Sequence, residues 1–402
     1  MKAVGVVVEY NPFHNGHFYH ISQSKSHANA DVVIAVMSGH FLQRGEPALV
    51  DKWHRTKMAL NNGADIVIEL PYAFSTGHAT SFAEGAIQLL DAIGCTNFSF
   101  GSEDGSIHPF LNTFHLLKNN EEQYNTSIKY HVSTGISYPQ SLYMAYEELR
   151  QKESKATIDL AQPNNILGYH YIEAAKRLNL AIEPMTIPRI QAGYHDDINT
   201  DFTIASATGI RKAIFEQQSL GEIEQFVPSE SYTLLADWQK HYNAFMNWEA
   251  FWPYLRFAIL RNTPEQLTSF ADVSEGIEFA LLKAAKKSNS FSEFMNQIKS
   301  KRYTWTRLQR MVTHIYTGIT KEQLHQSAEP SYIRLLGMTK NGQAYLSQHK
   351  KEFHLPLISR VASTKDPMLL LDIRATEMYA LGVELASGKQ IPSDYQTPPI
   401  RM

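Results

Sequence analysis

His14 and His17 stand three positions apart in Tyr10-Asn-Pro-Phe-His-Asn-Gly-His-Phe-Tyr-His20, directly after a run of β-branched residues. At the mouth of a helix, two imidazoles can donate N–H hydrogen bonds to phosphate oxygens beside the free amides of the first turn. Displacement at an α-phosphate gathers negative charge on the equatorial oxygens of its transition state, and two donors fixed beforehand stabilise that charge without a covalent nucleophile. Gly16, between them, lets the backbone approach the phosphate. Two other readings stay open: surface histidines in an ordinary turn, or metal ligands with His20 as a third, although an i, i+4 pair with an intervening Glu is lacking.

A second constellation lies far downstream, in Ile204-Ala-Ser-Ala-Thr-Gly-Ile-Arg211. Ser206 or Thr208 caps a helix there, and Arg211 offers a planar fork suited to a leaving pyrophosphate. The competing reading is an ordinary N-cap followed by a solvated arginine. No P-loop competes, because Gly382 to Gly388-Lys389 is one residue too long and is followed by Gln390.

The elements that must position these residues alternate. Lys2–Tyr10, Asp31–Ser38, Asp65–Leu70 and Thr96–Ser102 read as strands, with helical stretches at Lys52–Asn61 and about Ala79–Ala92 between them. This pattern predicts an α/β, Rossmann-like parallel sheet, with ligands at the carboxyl ends of its strands. Three loops meet there: Tyr10–Gly16, Gly39–Leu49 and Gly101–Gly105. Residues 106–180 read as a helical insertion, and Leu180–Arg189, with Pro184 and Pro188, as an edge strand. Residues 191–201 read as a polar loop, and 218–231 as a linker closing a 1–217 domain. The remainder, 232–402, reads as a mainly helical domain with helices at Tyr232–Arg261, Pro264–Lys287, Phe291–Thr317 and Tyr332–Glu352. Leu355–Val361 is its one short run with strand character, and the tail from Ser387 reads as irregular.

Composition is that of an ordered globular chain: 43% hydrophobic, 19% charged, net charge −3 over 402 residues. The single cysteine, Cys95, excludes an internal disulfide and a cysteine-based zinc site. No apolar run approaches the roughly 18 residues needed to cross a bilayer, and the first residues lack the pattern of a signal peptide. A cytoplasmic protein is expected, with no membrane partner and with a homo-oligomer left open. With so little net charge, a nucleic-acid partner must meet a local basic patch. One exists: Lys283, Lys286, Lys287, Lys299, Lys301, Arg302, Arg307 and Arg310 face only Glu293 across residues 283–310, with Tyr303 and Trp305 interleaved. The bland alternative is a solvated helix face whose aromatics belong to the core.

Strand followed by His14-Asn-Gly-His17 resembles the H-x-G-H signature of the nucleotidyltransferase superfamily, and the Ser206–Arg211 stretch resembles its second signature, with Ala205 and Ala207 departing from the commoner form. Ser38-Gly-His-Phe-Leu-Gln-Arg-Gly-Glu-Pro-Ala48, Asp51-Lys-Trp-His-Arg55, Gly63–Pro71, Phe100-Gly-Ser-Glu103 and Pro163-Asn-Asn-Ile-Leu-Gly168 extend the likeness to the bacterial tRNA(Met) cytidine acetate ligase family. The resemblance implies activation of acetate by ATP to acetyl-adenylate, then transfer of the acetyl group to N4 of the wobble cytidine of elongator tRNA(Met). It implies catalytic His14 and His17, and ATP contacts from Val7, Val8, Glu9, Tyr10, Asn11, Pro12, Phe13, His14, Asn15, Gly16, His17, Phe18, Tyr19, His20, Gly101, Asn164 and Arg189. The wider superfamily adds Ser206, Thr208 and Arg211.

Acetate is a poor nucleophile toward an anionic triphosphate, so charge must first be neutralised. The two histidines, Arg44 or Lys25, and Mg²⁺ carried on the phosphates are the expected means. Arg44 and Arg55 are candidates for phosphate or RNA contact, or else solvated loop charges. The alternatives are an adenylyltransferase acting on a phosphorylated cofactor precursor, and a non-catalytic RNA-binding protein that keeps ATP as a structural ligand.

Overall fold

The computed structural model describes residues 1–103, 105–189, 203–217 and 219–402; the polar loop expected at 191–201 lies outside them. Runs of β-branched residues form β1 (Ala3–Val8), β2 (Val32–Ser38) and β3 (Ile66–Leu70). Because side chains alternate across a strand, each run feeds two cores. Val4, Val6, Val33, Ala35 and Val67 face one core, whereas Ala3, Val32, Ile34, Ile66 and Ile68 face the other. With β4 (Asn97–Ser102) and β5 (Glu183–Pro188) the parallel part runs β5-β4-β1-β2-β3. Pro184 and Pro188 lie on the edge strand, where a missing N–H costs no ladder bond. The chain moves one way from β1 through β3 and the other way through β4 and β5, so a crevice opens where the order reverses, between β1 and β4.

Five helices frame that crevice or cover the sheet: α1 (Asn15–His27), α2 (Lys52–Asn61), α3 (Ala79–Ala92), α4 (Pro163–Arg177) and α5 (Ala207–Gln217). Asp51 caps α2, accepting from His54 N at 2.7 Å. The expected insertion holds helices at Ile107–Asn119, Glu121–Ser133 and Tyr138–Arg150. Farther on, α6 (Trp305–Thr317) and α7 (Pro367–Ser387) are the C-terminal helices that matter most for the site.

The C-terminal half departs from its expected pattern. Within Tyr332–Glu352, expected as one helix, the chain forms β6 (Ile333–Met338) and a separate helix, Lys340–His349, capped by Thr339. A short run buried on both faces has no periodicity that separates strand from helix. β6 pairs antiparallel with β3, and β7 (Leu357–Ile358) and β8 (Ile400–Arg401) pair with β6. Part of the tail expected to be irregular therefore belongs to the sheet. Of the stretch expected as a linker, residues 219–231 are packed: Ile223 and Phe226 are fully buried in the core that holds Ile21, Trp53, Trp238 and Phe251.

Two buried cations join these parts. Arg55, fully buried, donates from Nη1 to the carbonyls of Glu9 (2.8 Å) and Ser38 (3.0 Å), from Nε to Val50 O (3.3 Å) and from Nη2 to Gly39 O. It is therefore neither a solvated charge nor a phosphate ligand. Lys52, equally buried, lies 2.8 Å from both Glu69 and Asp394, and Arg334 lies 3.5 Å from Asp394. Removing one partner from such a group leaves charge uncompensated in the interior. Asp394→Ala is expected to lower unfolding free energy in urea by about 3–5 kcal/mol; a loss under about 1 kcal/mol would show that the tail does not support the sheet.

Candidate active site

α1 begins where β1 ends, and its first histidine is its cap. Gly16 N donates to His14 Nδ1 at 3.1 Å, while His14 N donates to Nδ1 of His17 at 3.3 Å, closing a capping box with imidazoles in place of the usual oxygens. The rings stack with centroids 3.7 Å apart. With both Nδ1 atoms accepting, the hydrogen bonds assign each ring proton to Nε2, so the pair presents two Nε2–H donors. A Cβ on Gly16 would come within 2.9 Å of His14 Cε1, so glycine lets the cap ring sit against the helix start.

Burial, reinforced by the nearby charges of Arg189 and Arg211, pushes the His14 pKa down to about 3. Burial and the neighbouring His14, His20 and Arg189 hold His17 well below its ordinary value. Burial and Arg189 bring His20 to about 4. Near neutral pH the three are uncharged, and the pair acts through oriented N–H groups.

The second helix start converges on the first. Ser206 Oγ accepts from Gly209 N at 3.1 Å, capping α5. Asn15 ties the two helix starts together, donating to Thr203 O and Gln225 O at 2.8 Å each. Arg211 donates to Asn11 O (2.9 Å) and pairs with Glu46 (3.3 Å). On the opposite side of the crevice, Arg189 donates to Asn164 Oδ1 at 3.0 Å, Asn164 donates to Glu103 at 2.9 Å, and Gly101 lies under the Arg189 side chain. Thus residues from the ends of β1, β4 and β5 and the starts of α1, α4 and α5 meet in one crevice.

Several of the expected ligands spend their side chains on packing. Val8, Tyr10 and Phe13 are buried, and the Tyr10 and Phe13 rings pack on His17, with centroids 4.9 and 5.6 Å away. They form the wall behind His17. Phe18 is half exposed on α1, and His20 faces Ser99 at 3.4 Å. Lys25 pairs with Asp65 at 3.0 Å, in the last turn of α1 and away from its mouth. Glu46 and Gln43 went unnoticed in the sequence as individual residues. Their one signal was position on the second crevice loop. Gln43 N donates to Glu9 Oε1, and the expected ligand Asn11, on the first loop, accepts at Oδ1 from Leu49 N.

Comparison with known proteins agrees with this geometry. The HIGH Nucleotidyl Transferase family model matches residues 1–393. A Lysinibacillus sphaericus (strain C3-41) protein called tRNA(Met) cytidine acetate ligase is 62% identical over 402 residues, the whole of both chains. The chain belongs to the tRNA(Met) cytidine acetate ligase family. The Bacillus subtilis (strain 168) member is 45% identical over 389 residues, 96% of this chain and 93% of its own. Thermotoga maritima TmcAL bound with alpha-thio ATP superposes with a TM-score of 0.89 at 30% identity, covering 100% of this chain and 99% of that one.

The basic stretch divides once placed on the fold. Lys283, Lys286, Lys287, Lys299, Lys301 and Arg302 are exposed, with Arg302 paired to Glu275 at 2.8 Å. Arg307 is partly covered, bonding Ser274 Oγ at 3.1 Å and lying over Tyr303. Arg310 is buried against Asp272 (3.3 Å) and His78 (3.1 Å), so it braces the structure and offers no surface charge for RNA. Tyr303 is likewise buried, whereas Trp305 is 39% exposed.

The lowered histidine pKa values give a pH signature. Such a group takes up its proton more readily unfolded, so stability is lost as pH falls below about 6.5, down to about 4 for His20, by at most ~1.4 kcal/mol per pH unit. Buried carboxyls with raised pKa, Glu9 and Glu69, act in the opposite sense but cancel when wild type is compared with His20→Gln. The variant should show the shallower fall in Tm between pH 6.5 and 4.5; parallel curves would place His20 in a solvated setting.

Proposed function

We infer that this enzyme activates acetate with ATP in the β1–β4 crevice and passes the acetyl group to N4 of the wobble cytidine of elongator tRNA(Met). The observation that carries the reading is the convergence of two capped helix starts, one bearing paired Nε2–H donors and the other Arg211, at the sheet's switch point. An acetate oxygen attacks the α-phosphorus as the bond to the β-phosphate oxygen breaks. His14 and His17 donate to the α-phosphate oxygens as charge builds there, while Ser206, Thr208, Arg211 and the α5 amides receive the departing pyrophosphate. Arg189, Asn164 and Gly101 hold the nucleoside side.

The cytidine amine is weakened by delocalisation into its ring, and the mixed anhydride supplies the activation that it needs. N4 attacks the acetyl carbon, AMP departs, and N4 loses a proton. Mg²⁺ is proposed to arrive on the triphosphate. No group of three or more ligating side chains stands ready for a metal among the described residues, so phosphate oxygens and water would form most of its shell. Exposed Lys283, Lys286, Lys287, Lys299 and Lys301 are proposed to meet the RNA backbone, with Arg302 and Arg307 freed from Glu275 on contact. Among the described residues no helix is long and apolar enough to cross a membrane, and the reading places the protein with its tRNA in the cytoplasm.

ATP–pyrophosphate exchange tests the first half-reaction. Exchange should require acetate and proceed without tRNA, whereas exchange indifferent to acetate would indicate adenylyl transfer to another acceptor. His17→Ala should slow exchange about 10²- to 10³-fold, as for loss of one transition-state donor; full exchange would remove His17 from the chemistry. Charge reversal at Lys299 and Lys301 should weaken tRNA binding and reduce the slope of log K against log salt by ~1 for each phosphate no longer neutralised, with exchange intact. An unchanged slope would move the RNA face elsewhere.

A further inference from the structure

A second cavity lies outside the crevice. It has a volume of about 180 Å³ and sits between the turn that follows β3, with the start of α3, and the helices around α6. Thr76, His78, Asp272 and His314 are among its polar groups, with Glu84 a second carboxylate, and Ala73, Phe74 and Leu324 form its apolar wall. Thr76 Oγ1 is buried and has no hydrogen-bond partner. His314, 2% exposed, spends Nδ1 on Tyr72 OH at 3.0 Å, and no bond engages its Nε2 among the described residues. Asp272 is braced by Arg310 and His78. A ligand entering here would find a carboxylate acceptor, a hydroxyl and an imidazole around an apolar wall.

Its surroundings specify the class of ligand. Ser274 and Glu275, just beyond Asp272, hold Arg307 and Arg302, so cations of the proposed RNA face stand at the cavity's margin. Gln43 joins the cavity wall to the loop that follows β1. Gln43 donates from its backbone to Glu9 Oε1 and from Nε2 to Gly77 O, both at 2.8 Å, and Gly77 lines the cavity. Single-stranded RNA is recognised by splaying unstacked bases into pockets that read their edges.

We propose that this cavity receives a nucleobase next to the modified cytidine, splayed from the anticodon loop, and so selects the tRNA. The proposal rests on the tRNA-ligase reading. The occupant is an RNA base because Arg302 and Arg307, cations of the proposed RNA face, are held by Glu275 and Ser274 just beyond Asp272, and Gln43 ties the cavity wall to Glu9 after β1.

The test pairs a filled cavity with a missing base. Ala328→Trp, on the exposed rim, and Ser81→Trp occupy the space without touching the crevice. Each is assayed for acetate-dependent ATP–pyrophosphate exchange and for acetylation of anticodon stem–loops, either intact or abasic at one neighbour of the cytidine. Exchange should be unchanged in both variants. Acetylation kcat/KM of the intact RNA should fall roughly 10- to 100-fold, the range for loss of one recognised base. Wild type should lose as much when one neighbour is abasic, and a filled variant should lose little more on that RNA. Multiplying effects, or full acetylation of intact RNA by both filled variants, would overturn the proposal. Absence of acetate-dependent exchange in wild type would instead overturn the ligase reading.

Discussion

The arrangement depends on one buried guanidinium. Arg55 has no carboxylate partner among its hydrogen bonds; it is held by four backbone carbonyls, from the ends of β1 and β2 and the loop between β2 and α2. An arginine in that position fixes where two crevice loops leave the sheet, because displacing either would strand a buried charge. From the first loop hang His14 and His17, and from the second Gln43 and Glu46. The second loop is fixed again at Gly45, whose left-handed backbone (φ +78°) lies against the start of residue 310 and whose carbonyl accepts from Trp248 and Thr313. Phosphate chemistry and the α6 side of the molecule therefore share one rigid loop.

The crevice is positive without relying on charged histidines. Two helix starts, two neutral imidazoles and two arginines at its sides give a field suited to a polyanion, and each arginine is parked on a neutral oxygen, Asn11 O or Asn164 Oδ1. Glu46 tempers Arg211 and Glu103 holds Asn164. An incoming triphosphate meets donors that are already aimed, so little reorganisation is left for the transition state.

Much of this was legible in the residues. The β-branched runs located the parallel strands, Pro184 and Pro188 announced an edge, and the His14–His17 spacing pointed to the paired imidazoles at the start of α1 that are proposed to meet phosphate. What stayed hidden depended on partners remote in sequence. β6 looked helical because a short run buried on both faces carries no period, and its strand character comes from pairing with β3. Arg310 looked like surface charge because Asp272 and His78, which bury it, lie on other elements. Tyr10 and Phe13 fell within a ligand motif by position, but the fold needs them as the backing of His17.

The salt link between Lys52 and Asp394 has a consequence for synthesis. As the chain leaves the ribosome, β1 to β5 and the nucleotide crevice emerge long before β6, which must cover the edge of β3, and before the carboxylate that Lys52 requires. The early chain has an open strand and a buried amine lacking one of its partners, a state prone to association with other strands. A fragment ending near the middle of the sequence is thus poorly suited to stand alone, even though it carries every residue assigned to ATP.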